Sequence, residues 1–242
     1  MTAFILKLIA VATMLIDHIG AVFPGETPML FRSVGRIAFP IFVYMIAQGC
    51  RYTNNINKYL LRLALFALIS EIPFDLAFRL HPIFYENGTV SYGINFLSHT
   101  NVFYTLLLGA TCIVIFNKAK DWNKPLAVLA ALPLMFIAEF IGSDYGAFGV
   151  IWIFAVYLAN PERKAASAAA LSIGILYIYA FNSFANGIAL SLGHPWYFFF
   201  AMASVALISL YNGKQGPKLK WAFYVFYPLH LTVLAALWFL RA

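Results

Sequence analysis

Charge is scarce in this chain. Asp, Glu, Lys and Arg make up 10% of its 242 residues, where a soluble domain carries about 25%. So small a polar complement cannot cover a water-exposed surface, which excludes a soluble globular fold. Cysteine is scarcer still. Cys50 and Cys112 stand alone, so there is no disulfide framework. A phosphate-binding glycine loop, a dinucleotide fingerprint, an H-E-x-x-H pair and a paired-cysteine metal site are all absent. His18 and His99, taken with the carboxylates, show no metal-ligand spacing, so no metal is expected. There is no low-complexity tail and no internal repeat.

What is abundant is apolar. Hydrophobic residues reach 63%, with 24 Phe, 14 Tyr and 5 Trp, which suits lipid contact and interfacial belts. The expected fold is an all-α polytopic transmembrane bundle, one integral-membrane domain over residues 1–242, because an open sheet cannot satisfy its backbone in lipid. A crossing takes about 20 apolar residues. Nine spans follow: 3–23, 34–50, 59–78, 101–117, 125–142, 146–159, 166–182, 196–211 and 221–240. The sixth is short and reads as a tilted or partial crossing. The first lacks a small-residue cleavage site, so it reads as a retained helix rather than a signal peptide.

The cations set the orientation. The net charge is +7, and positive residues of membrane proteins gather in cytoplasmic loops, so nucleic-acid binding is not implied. On one side lie Lys7, then Arg51, Lys58 and Arg62, then Lys118, Lys120 and Lys124. Arg163, Lys164, Lys214, Lys218 and Lys220 join them, which makes twelve of the 16. Arg32, Arg36, Arg79 and Arg241 are the four on the other side. The N-terminus is therefore expected in the cytoplasm and the C-terminus outside. Cys50 and Cys112 fall near cytoplasmic helix ends and are expected as reduced packing residues.

The polar residues inside the spans carry the functional signal. Asp17 and His18 lie within the first apolar run, where an ionisable pair costs several kcal/mol unless paired or used. Arg32 and Arg36 are one helical turn apart. Glu71 and Asp75 flank Pro73 on one face of the third span. Asn95, His99 and Asn101 come where the third loop enters the fourth span. Glu139, Asp144 and His194 follow on the same outer side. His230 lies near mid-membrane just after Pro228.

Each has a packing alternative. The arginines can anchor a helix end by snorkelling. Glu71 and Asp75 can satisfy backbone groups freed by Pro73. Asp144 can cap the sixth span, and His81 and His194, each before a proline, can be loop residues. His230 can bond a neighbouring helix. Helical neighbours diverge by about 100°, so Asp17 and His18 need separate partners. Asp17 is expected on Arg36 or Arg32, and His18 on Glu71, Asp75 or substrate.

Several segments together resemble a known family. They are Leu8–Gly20 with its Asp-His-Ile-Gly ending, Gly35-Arg-Ile-Ala-Phe-Pro-Ile-Phe42, and Arg51-Tyr-Thr-Asn54 with Lys58-Tyr59. Ser70-Glu-Ile-Pro-Phe-Asp75, Asn101-Val-Phe-Tyr-Thr105, Asp144-Tyr-Gly146 and Phe226-Tyr-Pro-Leu-His230 complete the set. The chain resembles the TraX family, whose founding member is the conjugative-pilin N-terminal acetyltransferase. The resemblance implies an enzyme of the bacterial inner membrane that moves an acetyl group from cytoplasmic acetyl-CoA to an acceptor at the outer face. The acceptor would be a protein N-terminus, an envelope saccharide or a small amine.

On that reading His18 is the general base or the acylated residue, and Asp17 balances its charge. Arg36 stabilises the oxyanion, and Glu71 and Asp75 bind a cationic acceptor or tune His18. Arg32, Asn101, Asp144 and His230 line the substrate. Arg51, Lys58 and Arg62 meet the CoA phosphates, although the positive-inside rule alone also accounts for them. Two other readings stand beside it. One is a proton-coupled transporter or channel, suited to His230 and helices broken at Pro73 and Pro228. The other is an assembly scaffold without chemistry.

Overall fold

The computed structural model of the protein describes residues 1–78, 99–181, 195–217 and 219–241. Arg79, His81, Asn95 and His194, singled out above, lie outside the described residues. Among the described residues all regular structure is helical, apart from an isolated parallel bridge between Thr100 and Ser143.

The described residues form eleven α-helices in order: α1 (Ala3–Val22), α2 (Leu30–Gly35), α3 (Ala38–Tyr52), α4 (Ile56–Phe78), α5 (Val102–Ala119) and α6 (Lys124–Leu129). Then come α7 (Leu132–Phe140), α8 (Gly146–Leu158), α9 (Lys164–Leu176), α10 (Pro195–Ser209) and α11 (Lys220–Phe239). A π-helical turn, Tyr177–Phe181, continues α9.

Helix starts follow local chemistry. The Thr2 hydroxyl accepts from the Ile5 N–H at 3.4 Å at the start of α1. Asn55 does the same for Lys58 N at 2.9 Å before α4, and Asn123 for Leu126 N at 3.0 Å at the start of α6. Each satisfies an amide that has no partner inside its own helix.

Two expected spans are each two helices. The span read as 34–50 divides at Arg36–Ile37, between α2 and α3. The span read as 125–142 divides at Ala130–Ala131, between α6 and α7. Proline explains both breaks. A proline inside a helix clashes with the carbonyl four residues earlier and donates no hydrogen bond to it. Four residues before Pro40 is Arg36, just after the end of α2. Four before Pro133 is Leu129, the last residue of α6. Pro73 and Pro228, by contrast, lie inside continuous helices.

Among the described residues four stretches have the length and composition to cross a membrane: Ala3–Val22, Leu30–Tyr52 (α2 and α3 taken across their break), Val102–Ala119 and Trp221–Phe239. Gly146–Leu158, Lys164–Tyr179 and Trp196–Ser209 are apolar but shorter. Of the nine expected crossings, four thus meet that length and composition among the described residues and three are shorter apolar helices, while α4 is 23 residues long but carries Lys58, Arg62, Glu71 and Asp75. The chain is a membrane protein, and α4 shows it most clearly. Its buried stripe, Leu63, Ala67, Ser70, Glu71, Phe74 and Asp75, carries the charge. Its opposite stripe, Leu61, Leu65, Leu68, Ile69 and Ile72, is apolar and exposed. Water would favour the reverse arrangement; hydrocarbon favours this one.

The chain divides into two compact units. The first is Met1–Met45 with Ala159–Phe226, and the second is Ile46–Leu158 with Tyr227–Ala242. In the first, α1 packs on α2, α2 on α10, and α10 on α9. Its start is tied down by its own later loop. The Met1 ammonium donates to Leu210 O at 2.8 Å, Ala3 N to Lys214 O at 2.9 Å and Phe4 N to Gln215 O at 3.0 Å. In the second, α5 is central and packs on α4, α7 and α8.

Candidate functional site

Within the first unit, Asp17 on α1 meets two arginines of the α2 segment. Its Oδ1 lies 2.6 Å from Arg36 Nη2 and 2.9 Å from Arg32 Nη1. Arg32 Nη1 also donates to the Asp17 carbonyl at 3.1 Å, and Arg36 Nε donates to the Arg32 carbonyl at 2.9 Å. The side chains of Asp17 and Arg36 are 15% and 16% exposed, and that of Arg32 is 36% exposed. This is the arrangement an intramembrane carboxylate requires. Isolated it would be costly, and here its charge is met by guanidinium forks on the facing helix.

The close approach depends on Gly35. A Cβ there would fall on the Asp17 side chain. Arg32 and Arg36 are four residues apart, which places both on one side of a single turn. His18 follows Asp17 on α1 and is partly buried.

Two tyrosines distant in sequence join this network, and the sequence reading missed them. The Arg36 guanidinium lies over the Tyr197 ring, 5.3 Å from its centroid. Tyr179, in the π turn, accepts a hydrogen bond from Arg36 and meets Tyr197 edge-on at 6.4 Å. Neither stands near a motif, and in a chain with 14 Tyr neither carried a signal of its own.

The second unit holds a separate polar cluster. Glu71 and Asp75 on α4 are 7% and 5% exposed, and Asn101 is wholly buried. Asn101 caps α5, its Oδ1 accepting from Phe103 N at 3.0 Å. Its Nδ2 donates to Glu71 Oε2 at 2.5 Å and to Ala67 O at 2.8 Å, and its backbone N–H donates to Glu71 Oε2 at 3.2 Å. Glu71 therefore anchors the start of α5, whose positive helix end favours a carboxylate.

Nearby, Thr105 donates to the Ser143 hydroxyl at 3.0 Å, and Thr100 N donates to Gly142 O at 3.0 Å. His99 Nε2 is 4.0 Å from Asp144 Oδ1. His230 is buried, with its ring edge-on to Tyr227 at 5.5 Å, and Tyr227 meets Phe103 at 5.1 Å. The start of α8 is served by Glu139, whose Oε2 accepts from Ala147 N at 3.0 Å. Gly146, at φ +51°, leaves room for that carboxylate. Of the residues read from sequence, then, Asp17, Arg32 and Arg36 come together with His18 adjacent in one unit. Glu71, Asp75, Asn101, Asp144 and His230 belong to the other.

The three cations expected to meet CoA are also in the second unit. Arg51 and Lys58 are exposed. Arg62 lies over the Tyr59 ring at 5.9 Å. Its buried Nε has no hydrogen-bond partner among the described residues. An orphaned guanidinium donor one helical turn from the exposed Lys58 fits a phosphate-bearing ligand.

The family model described as "TraX protein" matches residues 3–238. The chain is also similar to a protein of Dichelobacter nodosus described as "Probable fimbrial assembly protein FimC, serogroup H1". The two are 29% identical over 246 residues, covering 97% of this chain and 95% of the relative. No solved structure matches.

Proposed function

Because the chain belongs to the TraX family, we propose that it is a membrane acyltransferase. It would move an acetyl group from cytoplasmic acetyl-CoA to an amine or hydroxyl acceptor at the outer face of the bacterial cytoplasmic membrane. The name of the Dichelobacter nodosus relative, a fimbrial assembly protein, favours a protein acceptor over an envelope glycan. The observation that carries the reading is the Asp17–Arg32–Arg36 network beside His18 on α1. A purely structural ion pair needs no second arginine on the same oxygen, and His18 is the next residue along α1.

In the reaction, the acceptor nitrogen or oxygen attacks the thioester carbonyl carbon while His18 takes its proton. Arg36 stabilises the oxyanion that forms, and Asp17 holds Arg36 in place and balances its charge. The C–S bond then breaks, and the departing sulfur takes that proton back from His18 to leave as the CoA thiol, which restores the base. Arg51, Lys58 and Arg62 would hold the CoA phosphates.

The test uses the full chain purified in detergent. Acetyl-CoA is supplied with peptides bearing a free N-terminal amine, and thiol release and peptide mass are followed. Thiol release with a matching acetyl gain on the peptide is expected. A wild-type protein that neither binds acetyl-CoA calorimetrically nor releases its thiol would remove the reading.

A further inference from the structure

The Arg36 guanidinium is held in its plane at two nitrogens, Nη2 on Asp17 and Nε on the Arg32 carbonyl. A planar fork held only by its edge is free to tilt. Two tyrosines restrict that tilt. Tyr197 in the first turn of α10 lies under the guanidinium face, 5.3 Å from it. Tyr179 accepts a further hydrogen bond from Arg36 and braces Tyr197 edge-on.

The backbone has a specific reason to bring Tyr179 there. Along α9 the buried positions are Ser167, Leu171, Gly174 and Ile175. Continued at about 100° per residue, an α-helix would carry position 179 to the edge of that stripe, about 40° past Ile175. The π turn Tyr177–Phe181 rotates less per residue and swings Tyr179 back toward it. Such turns are uncommon, and they occur often at functional sites.

We propose that Tyr179 and Tyr197 are positioning residues that fix the direction of the Arg36 guanidinium, so that it meets the oxyanion of the transferred acyl group. This rests on the acyltransferase reading of Arg36. The two rings act through Arg36 and not on the substrate. Tyr179 supplies a hydroxyl acceptor, and Tyr197 supplies a π face.

Turnover and melting in detergent test this together. Tyr179→Phe keeps the ring and should lower kcat about 10- to 100-fold, the scale of a misplaced catalytic group, while KM for acetyl-CoA and the melting temperature stay unchanged. In an Arg36→Gln background the same change should cost nothing further, since there is no guanidinium left to position. Tyr197→Phe should keep turnover and Tyr197→Leu should lose it. Wild-type kcat in Tyr179→Phe, or an equal loss in the Arg36→Gln background, would overturn the assignment. If the wild type transfers no acetyl group, the acyltransferase reading fails instead. The contact is then read from melting of Tyr197→Leu, Arg36→Gln and the double variant: sub-additive losses support the clamp, and additive losses overturn it.

Discussion

Gly35 leaves the space that the Asp17 carboxylate occupies: a Cβ at Gly35 would fall on the Asp17 side chain. The glycine therefore sets how closely α1 and α2 approach, and with it whether Asp17 reaches both arginines. Gly35→Ala should destabilise the protein by the cost of overpacking, about 1–3 kcal/mol, and should also displace Asp17 from its partners. A detergent melt reads the first effect and acetyl transfer the second. A variant with wild-type melting and turnover would mean that the two helices separate without consequence.

Asp17 and Arg36 are expected to be energetically coupled. Removing one partner of a buried ion pair can cost about 3–5 kcal/mol, because the other charge is stranded. Asp17→Asn and Arg36→Gln should each lower stability, and the double variant should lose much less than the sum. Arg32 moderates the result. It also contacts Asp17 Oδ1, so Arg36→Gln should be milder than Asp17→Asn, which strands two guanidinia. Equal or inverted effects would show that Arg32 carries no share.

The parts of this site that were legible in the sequence are those that hydrocarbon makes conspicuous. A carboxylate within an apolar run demands a cation, and two arginines one turn apart supply it, so Asp17, Arg32 and Arg36 could be joined before any fold was known. Tyr179 and Tyr197 could not, because an aromatic residue in an apolar helix is ordinary and its neighbour depends on a π turn. The division of the fifth span was legible and missed. Pro133 stood in the run, but its hydropathy outweighed the backbone clash that ends α6 at Leu129. Likewise the first turn of α8 receives a carboxylate from Glu139 on the preceding helix, a contact that spacing alone does not reveal.

Asn101 links α4 to α5, and its loss should be felt as structure before chemistry. Asn101→Ala removes a helix cap, worth about 0.5–2 kcal/mol. It also removes a charge-assisted hydrogen bond to Glu71, worth about 1.5–3 kcal/mol. A clear fall in melting temperature is expected, with Glu71→Gln showing a smaller one because an amide oxygen still accepts. An Asn101→Ala protein that melts like the wild type would remove Glu71 from the anchoring role.

His18→Ala should abolish acetyl transfer while leaving insertion and melting near wild type. Loss of a general base costs about 10²–10⁴-fold in rate, and His18 is only partly buried, so little packing is lost with it. Near wild-type turnover in that variant would take the base role from His18 and move the search to His230 or a carboxylate of the second unit.

The orientation of the chain has its own test. If the nine expected spans all cross, twelve of the 16 Lys and Arg fall on the side that carries the N-terminus, and Arg241 falls on the other. Cationic loops are retained in the cytoplasm, so the C-terminus is expected outside. A periplasm-active reporter fused after Ala242 should then be active, and a cytoplasm-active one silent. The outcome bears directly on chemistry. If the cytoplasmic reporter is the active one, the number of crossings is even. Asp17, Arg32 and Arg36 would keep their contacts, but their assignment to the outer face, and the outer-face acceptor with it, would fall.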